Sequence, residues 1–178
     1  MKSQRTKTET LLEVMNILAW LVAITLSIKA FSFLTTYSMS LFKPEVAKDL
    51  YQGLNLYELR KYNIYQYSFK ILCHIMIDLS LAYISFLATQ IISKINLKKP
   101  FITEVVQLLE RISYILLGLW MLMVITNIQY AYLLKTLGSR QGEWIHGGPY
   151  IFMTGLIFLI AQVYKRGVEI QADNDLTI

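Results

Sequence analysis

At 178 residues the chain has the length of one domain, yet 55% of it is hydrophobic, 16% is charged and its mean hydropathy is +0.45. A soluble enzyme, a disulfide scaffold or a nucleic-acid-binding module does not have that balance. The net charge of +5 does not point to nucleic acid either, because Lys and Arg stand beside or between the apolar runs, where they anchor against phospholipid headgroups. The single cysteine, Cys73, lies inside such a run, so an intrachain disulfide is excluded.

The chain opens MKSQRTKTETLLEVMNILAW, a basic start before an apolar stretch. That stretch is longer than the core of a secretory signal and has no clean small-x-small cleavage site, which predicts an uncleaved anchor. Apolar residues gather in four runs, Leu11 to Leu34, Ile71 to Ile92, Ile112 to Leu134 and Pro149 to Tyr164. About 20 residues at 1.5 Å rise cross roughly 30 Å of hydrocarbon. The first three runs suffice alone, and the fourth does so if it begins near Trp144, whose indole suits the interface. The expected fold is therefore all-α: a single polytopic membrane domain, a four-transmembrane-helix bundle. Its expected spans are residues 11–36, 68–95, 103–135 and 145–170, followed by a cytoplasmic tail, 171–178.

In the first span Asn16, Ala19, Ala23 and Ser27 form a small stripe, with Thr25, Lys29, Ser32 and Thr36 roughly opposite. The loop from Tyr37 to Tyr67 is rich in tyrosine, and Pro44-Glu45 is a good helix start, with a fixed φ and an acid at the positive end of the dipole. It predicts a short surface helix in the first outer loop, or else a lid over the bundle. In the second span, at about 100° per residue, His74, Asp78, Ala82, Ser85 and Thr89 share a small, polar face. Met76, Leu79, Tyr83, Phe86 and Leu87 lie opposite. Lipid cannot satisfy a carboxylate, so the polar face is expected to point at other helices. Lys98 to Glu104 reads as a turn and helix start with Thr103 as N-cap, and the helix then projects into the cytoplasm by about two turns before Ile112. The loop from Gly138 to Gly148 holds four glycines and reads as a flexible connection.

Orientation follows from the basic residues. Lys2, Arg5, Lys7, Lys94, Lys98, Lys99, Arg111, Lys165 and Arg166 crowd into short flanks on one side. Lys43, Lys48, Arg60, Lys61, Lys70, Lys135 and Arg140 are spread more thinly on the other. Both termini are expected in the cytoplasm.

The intramembrane polar cluster is read as Lys29, His74, Asp78 and Asn127. His74 and Asp78 are one turn apart, a spacing that suits a structural hydrogen bond, a proton relay or a cationic ligand. Lys29, Asp78 and Asn127 lie at similar depth, roughly 10 Å below the outer ends of their spans, and a Lys–Asp pair neutralises both charges. No Gly-rich dinucleotide motif, P-loop, HExxH or CxxC occurs in the chain. His146-Gly147-Gly148-Pro149 has no GxSxG elbow to serve and reads as a turn. Neither a metal nor any other cofactor is expected, and no enzymatic activity.

Pro100-Phe101-Ile102-Thr103-Glu104, running on to Leu108, Arg111, Ile112 and Tyr114, and the C-terminal KRGVEIQADNDLTI resemble the bacterial domain-of-unknown-function family 2975, the YoaS-like membrane proteins. That family has a PFt.e stretch before its third span and ends close to fkrGieLqeenDLTi. Asp173-Asn174 departs mildly from the usual Glu-Asn. The resemblance implies four membrane helices in bacteria and no established activity. It also implies a partner, since members are often encoded beside a small helix-turn-helix regulator. Read physically, the tail mixes acids with Val168, Ile170, Leu176 and Ile178, which suits docking against the start of the third helix or a basic partner. The expected docking surface comprises Thr103, Glu104, Arg111, Gly167, Glu169, Asn174, Asp175 and Leu176.

The expected function is that of a non-catalytic, multi-pass protein of the bacterial inner membrane that senses or tethers, acting with a cytoplasmic helix-turn-helix transcription factor and not touching nucleic acid itself. The alternative is a small-molecule or ion carrier using the intramembrane His/Asp/Lys cluster. A polar path across the whole membrane favours the carrier, and confinement to the outer half favours the sensor.

Overall fold

The computed structural model describes residues 7–95, 101–138 and 142–176. Among them the chain is helical, with no strand beyond an isolated Leu50–Leu54 bridge. Helix α1 is Lys7–Phe42, α2 Tyr57–Tyr62, α3 Ile64–Lys94, α4 Thr103–Leu137 and α5 Gly148–Leu176, with 3₁₀ turns at Pro44–Lys48 and Tyr51–Gly53. All but α2 are long and apolar enough to cross a membrane. The 36 residues of α1 extend past the expected 11–36 at both ends. Its hydroxyls are compatible with lipid because they bond within the helix, as Thr25 to Leu21 O, Ser27 to Ala23 O and Ser32 to Ile28 O.

Local chemistry sets the helix ends. Asn63 caps α3, its side chain accepting from the Tyr65 and Gln66 amides at 2.8 and 3.2 Å. Gly138 ends α4 with φ +64, returning its N–H to Leu134 O. The expected Thr103 cap is corrected: Ile102 holds the extended cap position without a side-chain bond, and Thr103 is the first helical residue. Phe101 is pinned against α5, which fixes where the chain turns into α4. Helix α5 continues to Leu176, so residues 171–176 of the expected tail are helical. Residues 177 and 178 lie outside the described segments.

Helix α1 packs along α3, α5 along α4, and a smaller α3–α4 contact joins the two pairs. Of the apolar windows, 39% of α3 and 33% of α4 are buried, against 6% of α1 and 11% of α5, so α3 and α4 are central. Centrality corrects one sequence assignment. Met76, Leu79, Tyr83 and Phe86 are exposed as expected, but Leu87 is buried, packed with Ile77, Leu108, Ile112, Leu116, Leu119 and Met123. A helix with neighbours on two sides has two buried faces, and Leu87 belongs to the one turned to α4.

At the opposite end residues 43–63 form a cap. Ala47, Leu50, Leu56 and Leu59 are buried with Ala30 and Phe33 of α1, Tyr67, Ile71 and Ile75 of α3 and Leu133 of α4. The expected short helix of this loop is present as α2, later than the Pro44 start, where Pro44–Lys48 is 3₁₀, and the buried residues make the segment a lid as well. Leu56 N–H to Ala47 O, Arg60 to Leu41 O and Tyr37 to Ser68 Oγ tie the cap and helix ends together.

Candidate functional site

With its register set by Asn63, α3 places Gln66, Lys70, His74 and Asp78 at successive four-residue steps, one stripe along the helix. Helix α1 answers with Lys29 and Phe33. Lys29 Nζ is 3.1 Å from Asp78 Oδ1, the carboxylate side chain 6% exposed and the lysine 32%. The His74 ring stacks on Phe33 at 5.9 Å and 15°. Among the described residues no hydrogen bond joins His74 to Asp78, and His74 Nε2 is buried without a hydrogen-bond partner. The carboxylate is paired with the lysine, not with the imidazole.

Beside them is a cavity of about 440 Å³ lined by Lys29, Phe33 and His74 from the spans, Tyr51, Gln52, Gly53, Leu54 and Asn55 from the cap, and Gly142 and Glu143 from the α4–α5 connection. Gln52 holds a left-handed φ of +62, a conformation uncommon outside glycine that recurs at ligand-binding positions. Four separate stretches of chain, from α1, the cap, α3 and the α4–α5 connection, come together to form this wall.

Asn127, the fourth expected member, is elsewhere. It sits on the side of α4 facing α5, its Nδ2 donating to Ile145 O at 2.7 Å and its Oδ1 accepting from Ile145 N at 2.9 Å. Equal depth did not mean equal azimuth, and Asn127 has the structural task of satisfying the connection before α5. Lys70 is the residue that the sequence reading missed. Counted there as a headgroup anchor, it is fully buried, its Nζ has no hydrogen-bond partner, and it stands 5.8 Å from the Tyr130 ring centroid. Its four-residue spacing to His74 was the available signal.

At the tail end, α5 and the start of α4 form a seam. Phe101 stacks edge-on against Tyr164 at 5.0 Å, Gln171 Nε2 donates to Phe101 O at 3.2 Å and Gln162 to Glu110 at 3.2 Å. A Cβ on Gly167 would stand 2.5 Å from the Phe101 ring, so glycine is required for this approach. Of the expected docking residues Gly167 is thus inside the seam. Arg111 reaches the Tyr83 hydroxyl at 3.4 Å, Glu169 pairs with Arg166 at 2.7 Å, and Thr103, Glu104 and Asn174 are exposed. The side chains of Asp175 and Leu176 lie outside the described ones. Among the described residues no group of His, Cys, Asp and Glu could hold a metal.

No curated protein and no solved structure matches this chain. The family model described as a protein of unknown function, DUF2975, matches residues 47–178, from inside the cap through α5, leaving α1 outside the matched region. That match covers well over half of the sequence, and the chain belongs to the DUF2975 family.

Proposed function

We propose that this protein is a non-catalytic sensor or tether of the bacterial cytoplasmic membrane, acting with a cytoplasmic helix-turn-helix regulator. In this reading the cavity under the cap faces outward and receives the signal. The α4–α5 seam, on the side of both termini, meets the partner.

The observation that carries the reading is where charge stops. From Val14 to Ile28 in α1 and from Leu79 to Ser93 in α3 there is no charged residue. Beyond Asp78 the seam between these helices continues through Ala23, Ala82 and the Trp20–Phe86 edge contact, while Ser27 and Ser85 bond to their own helices. A carrier needs polar groups at successive depths; a receptor needs them only at the side from which its ligand arrives.

The test is affinity purification of the full chain from native membranes, with and without residues 174–178. The shortened chain is expected to insert normally, since the apolar run Pro149 to Tyr164 of α5 is untouched, but to lose the regulator and the transcriptional response of its target genes. Unchanged recovery and unchanged transcription at normal expression would overturn the regulatory reading.

A further inference from the structure

We propose that the cavity under the cap is a binding site for a small oxyanion, a carboxylate or phosphate, recognised by Lys70 and His74. The inference rests on reading this cavity as the ligand site and adds the chemistry of the ligand.

The charged groups on and just behind the cavity wall are unequal in their commitments: Lys29 and Glu143 line it, while Asp78 and Lys70 stand behind it. Asp78 is neutralised by Lys29 at 3.1 Å, so that pair presents no net charge. Glu143 lies on the exposed connection, where water screens it. Lys70 remains. It is fully buried, and its Nζ has no hydrogen-bond partner among the described residues. A lone ammonium in such a place is strongly unfavourable unless an anion joins it.

Lys70 is also next to the cavity. Gly142 lines the cavity, and a Cβ built on it would stand 3.1 Å from Lys70 Cε and 3.5 Å from Nζ. The ammonium is therefore packed against the Gly142 backbone, just behind the cavity wall. One turn along α3, His74 contributes a second orphan, a buried Nε2 with no partner, on a ring held in place by its stack on Phe33. A cation and an imidazole nitrogen at four-residue spacing are complementary to an oxyanion, which accepts charge-assisted hydrogen bonds from both. A cationic ligand would meet Lys70 unscreened. An apolar one would leave both nitrogens unsatisfied.

The experiment uses the full chain in a non-ionic detergent, titrated with inorganic phosphate and with acetate at constant ionic strength held by chloride. Thermal unfolding and Trp144 fluorescence, the latter in a Trp20→Phe, Trp120→Phe background, are the readouts; Trp144 packs edge-on against the same Tyr130 ring that faces Lys70. Phosphate or acetate is expected to raise the unfolding temperature saturably, with at least a tenfold weaker midpoint in Lys70→Met. The same variant without anion should unfold no earlier than the parent, because it removes an unpaired charge, whereas a merely structural lysine would leave it less stable. If Lys70→Met does not fold, His74→Phe, which keeps the ring stack, carries the same comparison.

Stabilisation by phosphatidylglycerol nanodiscs but not by free anions, lost in the same variants, assigns the oxyanion to a lipid headgroup and supports the site. Equal response of parent and variants to every anion overturns it. Anion binding without any effect on partner recovery keeps the site and overturns the sensing role. Partner recovery with no anion binding overturns the site and leaves the tether.

Discussion

A carboxylate inside a bilayer must find a cation, but the two members of the Lys29–Asp78 pair do not depend on each other equally. Asp78 is 6% exposed and short, while Lys29 is 32% exposed and long enough to carry its ammonium toward the interface. Lys29→Met should therefore be the more damaging change, lowering stability by about 3–5 kcal/mol because it strands a buried charge. Asp78→Asn should lose about 1 kcal/mol, the scale of one hydrogen bond. The double variant should recover most of the Lys29→Met loss. Thermal unfolding in one detergent checks all three, and additive losses would show that the pair is not energetically coupled. This pair was legible in the sequence because depth is counted along a helix and polar residues in hydrocarbon need partners. Azimuth is not read so easily. Asn127 shares the depth and faces α5, and Lys70, at the edge of an apolar run, looks like any interfacial lysine until its surroundings are known.

Among the elements, the cap and the tail seam depend on single contacts that substitution can break. In the cap, Glu45 pairs with Lys48 and accepts from the Tyr57 hydroxyl at 2.9 Å. The hydrogen bond with Lys48, then that with Tyr57, holds the Glu45 carboxyl below the usual carboxylate range. A group whose folded value is depressed stabilises above its unfolded value and ceases to do so as pH falls through the folded one. Acidification into and below the carboxylate range should thus loosen the cap, read as faster exchange of the Leu56 amide bonded to Ala47 O. Glu45→Gln should show the faster exchange already at neutral pH. At the seam, Gly167→Leu must push the Phe101 ring away, since even a Cβ would sit 2.5 Å from it. Overpacking of this kind costs about 1–3 kcal/mol. Exchange protection should fall around residues 101–105 and 165–171 with the spans intact, and unchanged protection would show that Phe101 has another place to go. The sequence left the cap open as one of two outcomes because its core is non-local: Ala47, Leu56 and Leu59 acquire partners only when α1, α3 and α4 meet beneath them.

For the whole molecule, the four apolar runs were enough to give the spans, and what they left open was the order of packing. Helix α3 touches both α1 and α4 while α1 and α5 flank, so lipid covers most of the outer two. An even number of crossings puts residues 7 and 176 at one end and the cap at the other, whichever way the chain is inserted. The proposed direction rests on the basic residues: those flanking the termini and the α3–α4 turn are dense, and dense short flanks favour the cytoplasmic side. Three single-cysteine variants test both statements in a Cys73→Ala background, each at an exposed position, Thr8→Cys, Asn55→Cys and Ala172→Cys. In cells with a permeable outer envelope, a membrane-impermeant maleimide should label Asn55→Cys at once. Thr8→Cys and Ala172→Cys should react only after the cytoplasmic membrane is opened. If those two react in intact cells while Asn55→Cys is protected, the orientation is reversed, the cavity faces the cytoplasm and an extracellular signal is excluded. If Thr8→Cys and Ala172→Cys differ from each other, one of the four helices does not cross the membrane.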